Sequence, residues 1–248
     1  MYKLSKLKNK INLITMPIKG TKAITVMALF PVGSRYEDSK ISGASHFVEH
    51  LMFKGTQKRP NALDISSLLE SQGADYNAFT GKDYTGYYVK INSAKRELAF
   101  DLLSDMIFHS KLDEAEVIRE KGVIIEELRM YEDNPTMAID HLFDQVMYGQ
   151  NHPLGRDIGG TIQTVKNITR SALFDYYQKY YIPNNMVLVV AGDLSDKKKL
   201  SHCLNYFVRE TDRQLLNEDL VKNFKKYTWP KKLALTERVA VKEKKLDQ

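Results

Sequence analysis

Residues 46–50 read His46-Phe47-Val48-Glu49-His50 and lie in a segment, residues 42–53, whose apolar positions recur at helical spacing. At about 100° per residue, His46 and His50 fall within about 40° of each other, so both imidazoles point the same way. Glu49 lies to one side of them, and its carboxylate can reach the same space. The apolar stripe of this predicted helix lies on the far side and consists of Ala44, Phe47, Val48 and Leu51.

Two imidazoles at this spacing are either unrelated histidines near a helical glutamate or part of a zinc site. Zinc bound by two histidines takes a third protein ligand, typically a carboxylate, and keeps its fourth position open for water. The chain has one cysteine, Cys203, which excludes an intrachain disulfide and a cysteine-based zinc cluster. Cys203 lies in a predicted helix, where we expect a buried structural thiol. The third ligand must therefore be another Glu or Asp.

A long predicted helix, residues 113–133, supplies the candidates for that third ligand. Its glutamates are Glu114, Glu116, Glu120, Glu126 and Glu127. Glu120 and Glu127 lie within about 20° of each other and border the apolar stripe of the helix, whereas Glu126 points toward solvent. We therefore predict Glu127 as the third ligand. Glu120, about 10 Å away along the axis, either hydrogen-bonds a ligating imidazole or is a solvated helical glutamate.

These residue types together predict metal-assisted hydrolysis of a peptide bond. Zinc lowers the pKa of a bound water from 15.7 toward about 7, and Glu49 is placed to take the proton as general base. Glu49 would then hand that proton to the leaving amine. We expect one zinc per chain, although a set of two histidines and a glutamate can hold other divalent metals in vitro.

The remaining pattern predicts an α+β fold, a mostly antiparallel sheet flanked by helices. Alternating apolar residues predict strands at 12–17 and 23–30, a hairpin over 75–91 that turns at 81–83, and a strand at 186–191. Further helices are predicted after Pro60 and over 94–108, 137–148, 171–180 and 197–207. Strand pairs mixed with long helices, without regular alternation of one strand and one helix, argue against a doubly wound fold.

Composition narrows the class of protein. The chain has 248 residues and a net charge of +6, with lysines clustered late in the sequence. Nucleic-acid binding is disfavoured, because it calls for arginines and aromatics interleaved on one face. Residues 1–10 alternate apolar and basic residues, which is typical of a strand and not of a secretory signal. No apolar run approaches the roughly 18 residues of a membrane span, so we expect a cytoplasmic protein.

Two segments resemble the pitrilysin, insulinase and mitochondrial processing peptidase family of zinc metallopeptidases. Residues 46–56 carry the His-x-x-Glu-His order of the inverzincins followed by Leu-Met-Phe-Lys-Gly-Thr. Residues 120–127 have the form Glu-x-x-Val-Ile-x-x-Glu, which in this family ends in the third zinc ligand. The resemblance implies Glu127 as that ligand and Glu120 as the carboxylate that orients a ligating histidine.

The same resemblance implies a substrate-binding strand at residues 77–80, Asn77-Ala78-Phe79-Thr80. In the family, extended peptides lie along such an edge strand and are held by main-chain hydrogen bonds. Asn77, Ala78 and Phe79 are therefore candidate substrate contacts. The alternative is an ordinary edge of a sheet.

Further resemblance at residues 152–156 and 180–193 implies that one family domain spans about residues 1–210. We expect residues 211–248 to be a charged linker toward a second homologous domain that this chain lacks. In the family that domain closes over the substrate, so a homodimer or a partner chain would have to supply it. Two alternatives to an active peptidase stay open: a non-catalytic structural or peptide-binding homologue, and a catalytic half that needs the second domain for turnover.

Overall fold

The computed structural model describes residues 1–210 and residue 241, so the linker predicted for residues 211–248 lies outside the described residues except at one position. The strands are β1 Lys3–Lys6, β2 Asn12–Pro17, β3 Ala23–Phe30, β4 Asp75–Thr80, β5 Thr85–Asn92 and β6 Val187–Gly192. The α-helices are α1 Ala44–Leu51, α2 Ala62–Glu70, α3 Arg96–His109, α4 Glu114–Asp133, α5 Pro135–Tyr148, α6 Ile162–Asn167, α7 Arg170–Tyr180 and α8 Lys197–Val208.

The described strands form one sheet in the order β1-β2-β6-β3-β5-β4. Only the β2–β6 pair is parallel among the described strands, which confirms a mostly antiparallel sheet in an α+β fold. Strands β2 and β3 are consecutive in sequence but are not neighbours, because β6 lies between them. Residue Val190 of β6 pairs with Thr15 on one side and with Val26 on the other.

The core lies between the sheet and its helices. Alternate residues of β3, Ile24, Val26, Ala28 and Phe30, are fully buried. Helix α3 is buried along most of its length and packs on β3, β5 and α8. Cys203 of α8 is buried, as predicted. This arrangement fixes the sheet as a rigid support for the elements at its β4 end.

Most predicted elements are confirmed, and α6 is the helix that the pattern missed. With six residues, α6 is too short to show a helical period. The residue before it, Thr161, caps the helix: its side chain accepts a hydrogen bond from the backbone N–H of Thr164. None of the helices within residues 1–210 is both long and apolar enough to cross a membrane.

Helix α1 lies beside the edge strand. It contacts β4, α4 and α7, while β4 is the last strand of the sheet. The predicted edge position of residues 77–80 is therefore confirmed. Four elements, α1, β4, α4 and α7, thus meet at one end of the sheet.

Candidate metal centre

Helix α1 buries its predicted apolar stripe and leaves its two histidines partly accessible. The His46 and His50 side chains are 14% and 20% exposed. Their rings meet nearly at right angles, with 3.2 Å between the two Nε2 atoms. Burial, together with the nearby His50, lowers the pKa of His46. A neutral imidazole is the form that binds a metal.

Helix α4 brings Glu127 to the same point. Its Oε2 lies 3.7 Å from His46 Nε2 and 3.5 Å from His50 Nε2. Ligand atoms at about 2.0–2.2 Å from a tetrahedral zinc lie roughly 3.3–3.6 Å apart. The three side chains form a group that could hold a metal ion, and their separations fit the size of zinc.

Tyr131, one turn after Glu127, fixes the orientation of this carboxylate. Its hydroxyl donates to Glu127 Oε1 at 2.5 Å, which leaves Oε2 facing the histidines. The hydrogen bond from His50 lowers the pKa of Glu127 to about 2; burial opposes this, and the Tyr131 bond adds to it. The same bond raises the pKa of Tyr131 to about 12. Tyr131 was not among the predicted site residues, although its i+4 spacing from Glu127 was the available signal.

Glu120 lies behind His50 and is only 2% exposed, so the solvated alternative is wrong. Its Oε2 is 3.1 Å from His50 Nδ1, and its Oε1 accepts from Lys54 Nζ at 2.7 Å. Burial alone would lower the pKa of His50, but hydrogen bonds to Glu120 and Glu127 raise it to about 9. These contacts turn the Nε2 of His50 toward His46 and Glu127.

Glu49 lies beside this group but does not belong to it. Its carboxylate accepts a hydrogen bond from the Thr80 hydroxyl at the end of β4. Burial raises the pKa of Glu49 above its ordinary value. Thr80 was predicted as part of the edge strand, whereas its bond to Glu49 joins residues 31 positions apart and was not foreseen. A carboxylate with a raised pKa next to a metal site is suited to take up a proton.

The free edge of β4 presents backbone groups to solvent at alternate residues. Gly81 N–H donates to Tyr84 O, so in the antiparallel register the Ala78–Tyr87 pair is not hydrogen-bonded. The N–H of Ala78 therefore points outward, where it donates to the Asn77 side-chain oxygen at 2.9 Å. Phe79 instead packs against Gly86, at which a Cβ would lie 2.3 Å from the Phe79 ring.

A cavity of about 920 Å³ opens over the two histidines and Glu127. Helix α5 and residues 156–163 form one wall of this cavity. Two contacts hold this wall in place: Lys82 donates to Asp144, and His141 Nδ1 lies 2.6 Å from Asp157 Oδ2. The carboxylates that line the whole cavity are Glu49, Glu127, Glu132, Asp140, Asp144 and Asp157. Its lysine and arginine residues are Lys82 and Arg156, so carboxylates outnumber them. The sequence predicted a helix at residues 137–148 but not that this helix lines the cavity.

Two family models match the chain. "Insulinase (Peptidase family M16)" matches residues 14–162, and "Peptidase M16 inactive domain" matches residues 167–244. The chain is 38% identical over 196 residues to the uncharacterized zinc protease YmxG of Bacillus subtilis, covering 79% of this chain and 47% of that protein. It is 37% identical over 210 residues to the mitochondrial-processing peptidase subunit beta of Saccharomyces cerevisiae, covering 82% and 44%. The chain thus spans less than half the length of either relative.

Solved structures share the fold. A protease from Helicobacter pylori superposes with a TM-score of 0.79 at 26% identity, covering 88% of this chain and 52% of that one. The first half of the periplasmic protease PqqL from Escherichia coli gives a TM-score of 0.77 at 26% identity, covering 84% and 46%.

Proposed function

The chain belongs to the insulinase family of zinc proteases, peptidase family M16, and from that premise we propose that it is a zinc-dependent metalloendopeptidase. The observation that carries the proposal is the convergence of His46, His50 and Glu127, with Glu49 beside them. We propose short or unfolded peptides as substrates, because only an extended chain can lie along a strand edge. Because the chain spans less than half of the two relatives described above, we also propose that turnover uses a second domain, such as one supplied by a partner chain.

In this mechanism His46, His50 and Glu127 would hold the zinc, which when bound lowers the pKa of a coordinated water and polarises a carbonyl. Glu49 takes a proton as general base and returns it to the leaving amine. The Thr80 hydroxyl fixes the Glu49 carboxylate. Glu120 holds the Nδ1 of His50 and so keeps the opposite nitrogen directed at the metal position.

The metal assignment is tested by metal content. Plasma mass spectrometry of the purified wild-type protein is expected to find about one equivalent of zinc per chain, since the three ligands form one closed set. His50→Ala removes one of those ligands and should leave less than about a tenth of that zinc. His109→Ala is the matched control, because His109 pairs with Glu210 and belongs neither to the three-residue group nor to the cavity lining. The absence of zinc in the wild-type protein would favour a binding or structural role instead.

Zinc affinity should rise with pH. His50 must lose its proton to ligate, and its pKa of about 9 means that zinc competes with a proton at neutral pH. The apparent affinity should increase about tenfold per pH unit between about pH 6 and pH 8. Glu127 does not contribute, because its pKa of about 2 leaves it ionised throughout. Competition with a chelator at several pH values measures the slope, and a flat profile would contradict it.

The free edge of β4 gives a prediction about substrate binding. Ala78→Pro removes the outward N–H of Ala78 without disturbing the bonds to β5. KM should rise about tenfold or more, because an unpaired buried acceptor costs about 1–3 kcal/mol. Asn77→Ala is the control; it keeps every backbone donor and removes the side chain that covers the N–H. An unchanged KM for Ala78→Pro would show that the peptide does not pair with this edge.

A further inference from the structure

Glu37 is a buried carboxylate outside the group described above. It lies in the segment between β3 and α1 and is 5% exposed. Its Oε2 accepts from the backbone N–H of Gly43 and its Oε1 from that of Ser45, each at 2.7 Å. Burying a carboxylate is unfavourable unless its oxygens are hydrogen-bonded. Here both oxygens accept hydrogen bonds from the beginning of α1.

The beginning of α1 has no cap of its own. The residue before the helix, Gly43, has a φ of +98°, and no side chain within the helix caps the first turn. A larger residue is excluded there, because a Cβ on Gly43 would lie 2.5 Å from the carbonyl oxygen of Gly159. The first N–H groups of a helix need acceptors, and the helix dipole favours a negative charge near them. Glu37, which lies outside the helix, supplies both the acceptors and the negative charge.

The bond between Glu37 and Ser45 affects the position of His46, because His46 directly follows Ser45 in the first turn. Helix α1 has eight residues, which is too short to be stable without outside contacts. We propose that Glu37 is a positioning residue of the metal centre: by holding the first turn of α1 it places the His46 imidazole against His50 and Glu127. This inference rests on the proposed function, since it concerns the same metal site.

Neighbouring contacts join the Glu37 segment to the cavity wall and the first turn of α1 to helix α7. Arg156 Nη2 donates to the backbone oxygen of Glu37 at 2.9 Å, and the Ser45 and Tyr176 hydroxyls lie 2.6 Å apart. Burial raises the pKa of Glu37 to about 7, although the bonds from Ser45 and Gly43 and the charge of Arg156 oppose it. Measurements at about pH 8 therefore keep the carboxylate mostly ionised.

The test compares Glu37→Gln with two control variants in the intact chain. Asp38→Asn changes the adjacent exposed carboxylate, which only caps Lys40 N–H. Asp105→Asn changes another buried carboxylate, bonded to Thr56 and Arg59 outside α1. Glu37→Gln should bind zinc about 10–100-fold more weakly, the range typical of losing a group that orients a ligand. It should also alter the visible spectrum of the Co²⁺-substituted protein. Both controls should keep the wild-type affinity and spectrum.

Unchanged zinc affinity and Co²⁺ spectrum in Glu37→Gln would overturn this inference alone. No metal binding by the wild-type protein would overturn the proposed function, and this inference with it. Hydrogen exchange on the wild-type protein covers the case in which the variant does not fold. The Gly43 and Ser45 amides should be protected, since both are bonded to Glu37. Exchange at the rate of an unstructured peptide would refute the proposed cap.

Discussion

Glu49→Gln should leave zinc bound and lower kcat by about 10²- to 10⁴-fold, the contribution of a well-placed general base. Glu49 bonds to Thr80 and lies outside the three-residue metal group, so the metal does not depend on it. Glutamine keeps the size of the side chain and the acceptor for the Thr80 hydroxyl, but it cannot take up a proton. Cleavage of a quenched fluorescent peptide and zinc content are measured on the same preparation.

The cleavage assay needs a matched control and a reference rate. Glu132→Gln changes another carboxylate of the same cavity and should keep most of the activity. Both variants and the wild-type protein are assayed alone and with the separately expressed second half of the Bacillus subtilis relative. Loss of zinc from Glu49→Gln would identify Glu49 as a ligand and contradict its assignment as the base.

Glu127→Gln should weaken zinc binding by more than about 100-fold, because the loss of a group that merely orients a ligand already costs 10–100-fold. The substitution removes the negative charge that faces both histidines at 3.7 and 3.5 Å. At any working pH that charge is present, since the pKa of Glu127 is about 2. Competition titration with a chelator of known affinity gives the two dissociation constants.

Glu126→Gln is the neighbouring control on the same helix. Glu126 is 70% exposed and pairs with Arg129 at 2.6 Å, on the solvent-exposed side of α4. Its substitution should leave zinc affinity unchanged. Similar losses in the two variants would show that the helical-face argument placed the wrong carboxylate at the metal.

The convergence of His46, His50 and Glu127 was predictable because its parts obey local rules. The spacing of His46 and His50 placed both rings on one side of a short helix, and the apolar stripe of α4 separated Glu127 from Glu126. A period of 3.6 residues carries that information within a single element. The edge position of β4 came from the family resemblance and not from the pattern itself.

Other features of the site and of the sheet depend on contacts between segments that are distant in sequence. A local periodicity does not predict such contacts. The Thr80–Glu49 bond and the α5 wall of the cavity arise only once the sheet is assembled. The place of β6 between β2 and β3 is similar: its apolar pattern predicted a strand but not its neighbours. A strand buried within a sheet shows little sign of which partners it takes.

The two edges of the sheet carry different protection against aggregation. Edge β1 is short and exposes Lys3 and Lys6, whose charges repel another chain that approaches. Edge β4 cannot use charge in this way if it is to accept peptides of many sequences. There the Asn77 side-chain oxygen accepts the hydrogen bond of the outward N–H of Ala78, so this donor is satisfied within the chain. Asn77→Ala should therefore leave the N–H of Ala78 unpaired at the sheet edge, so that the protein self-associates more readily at high concentration.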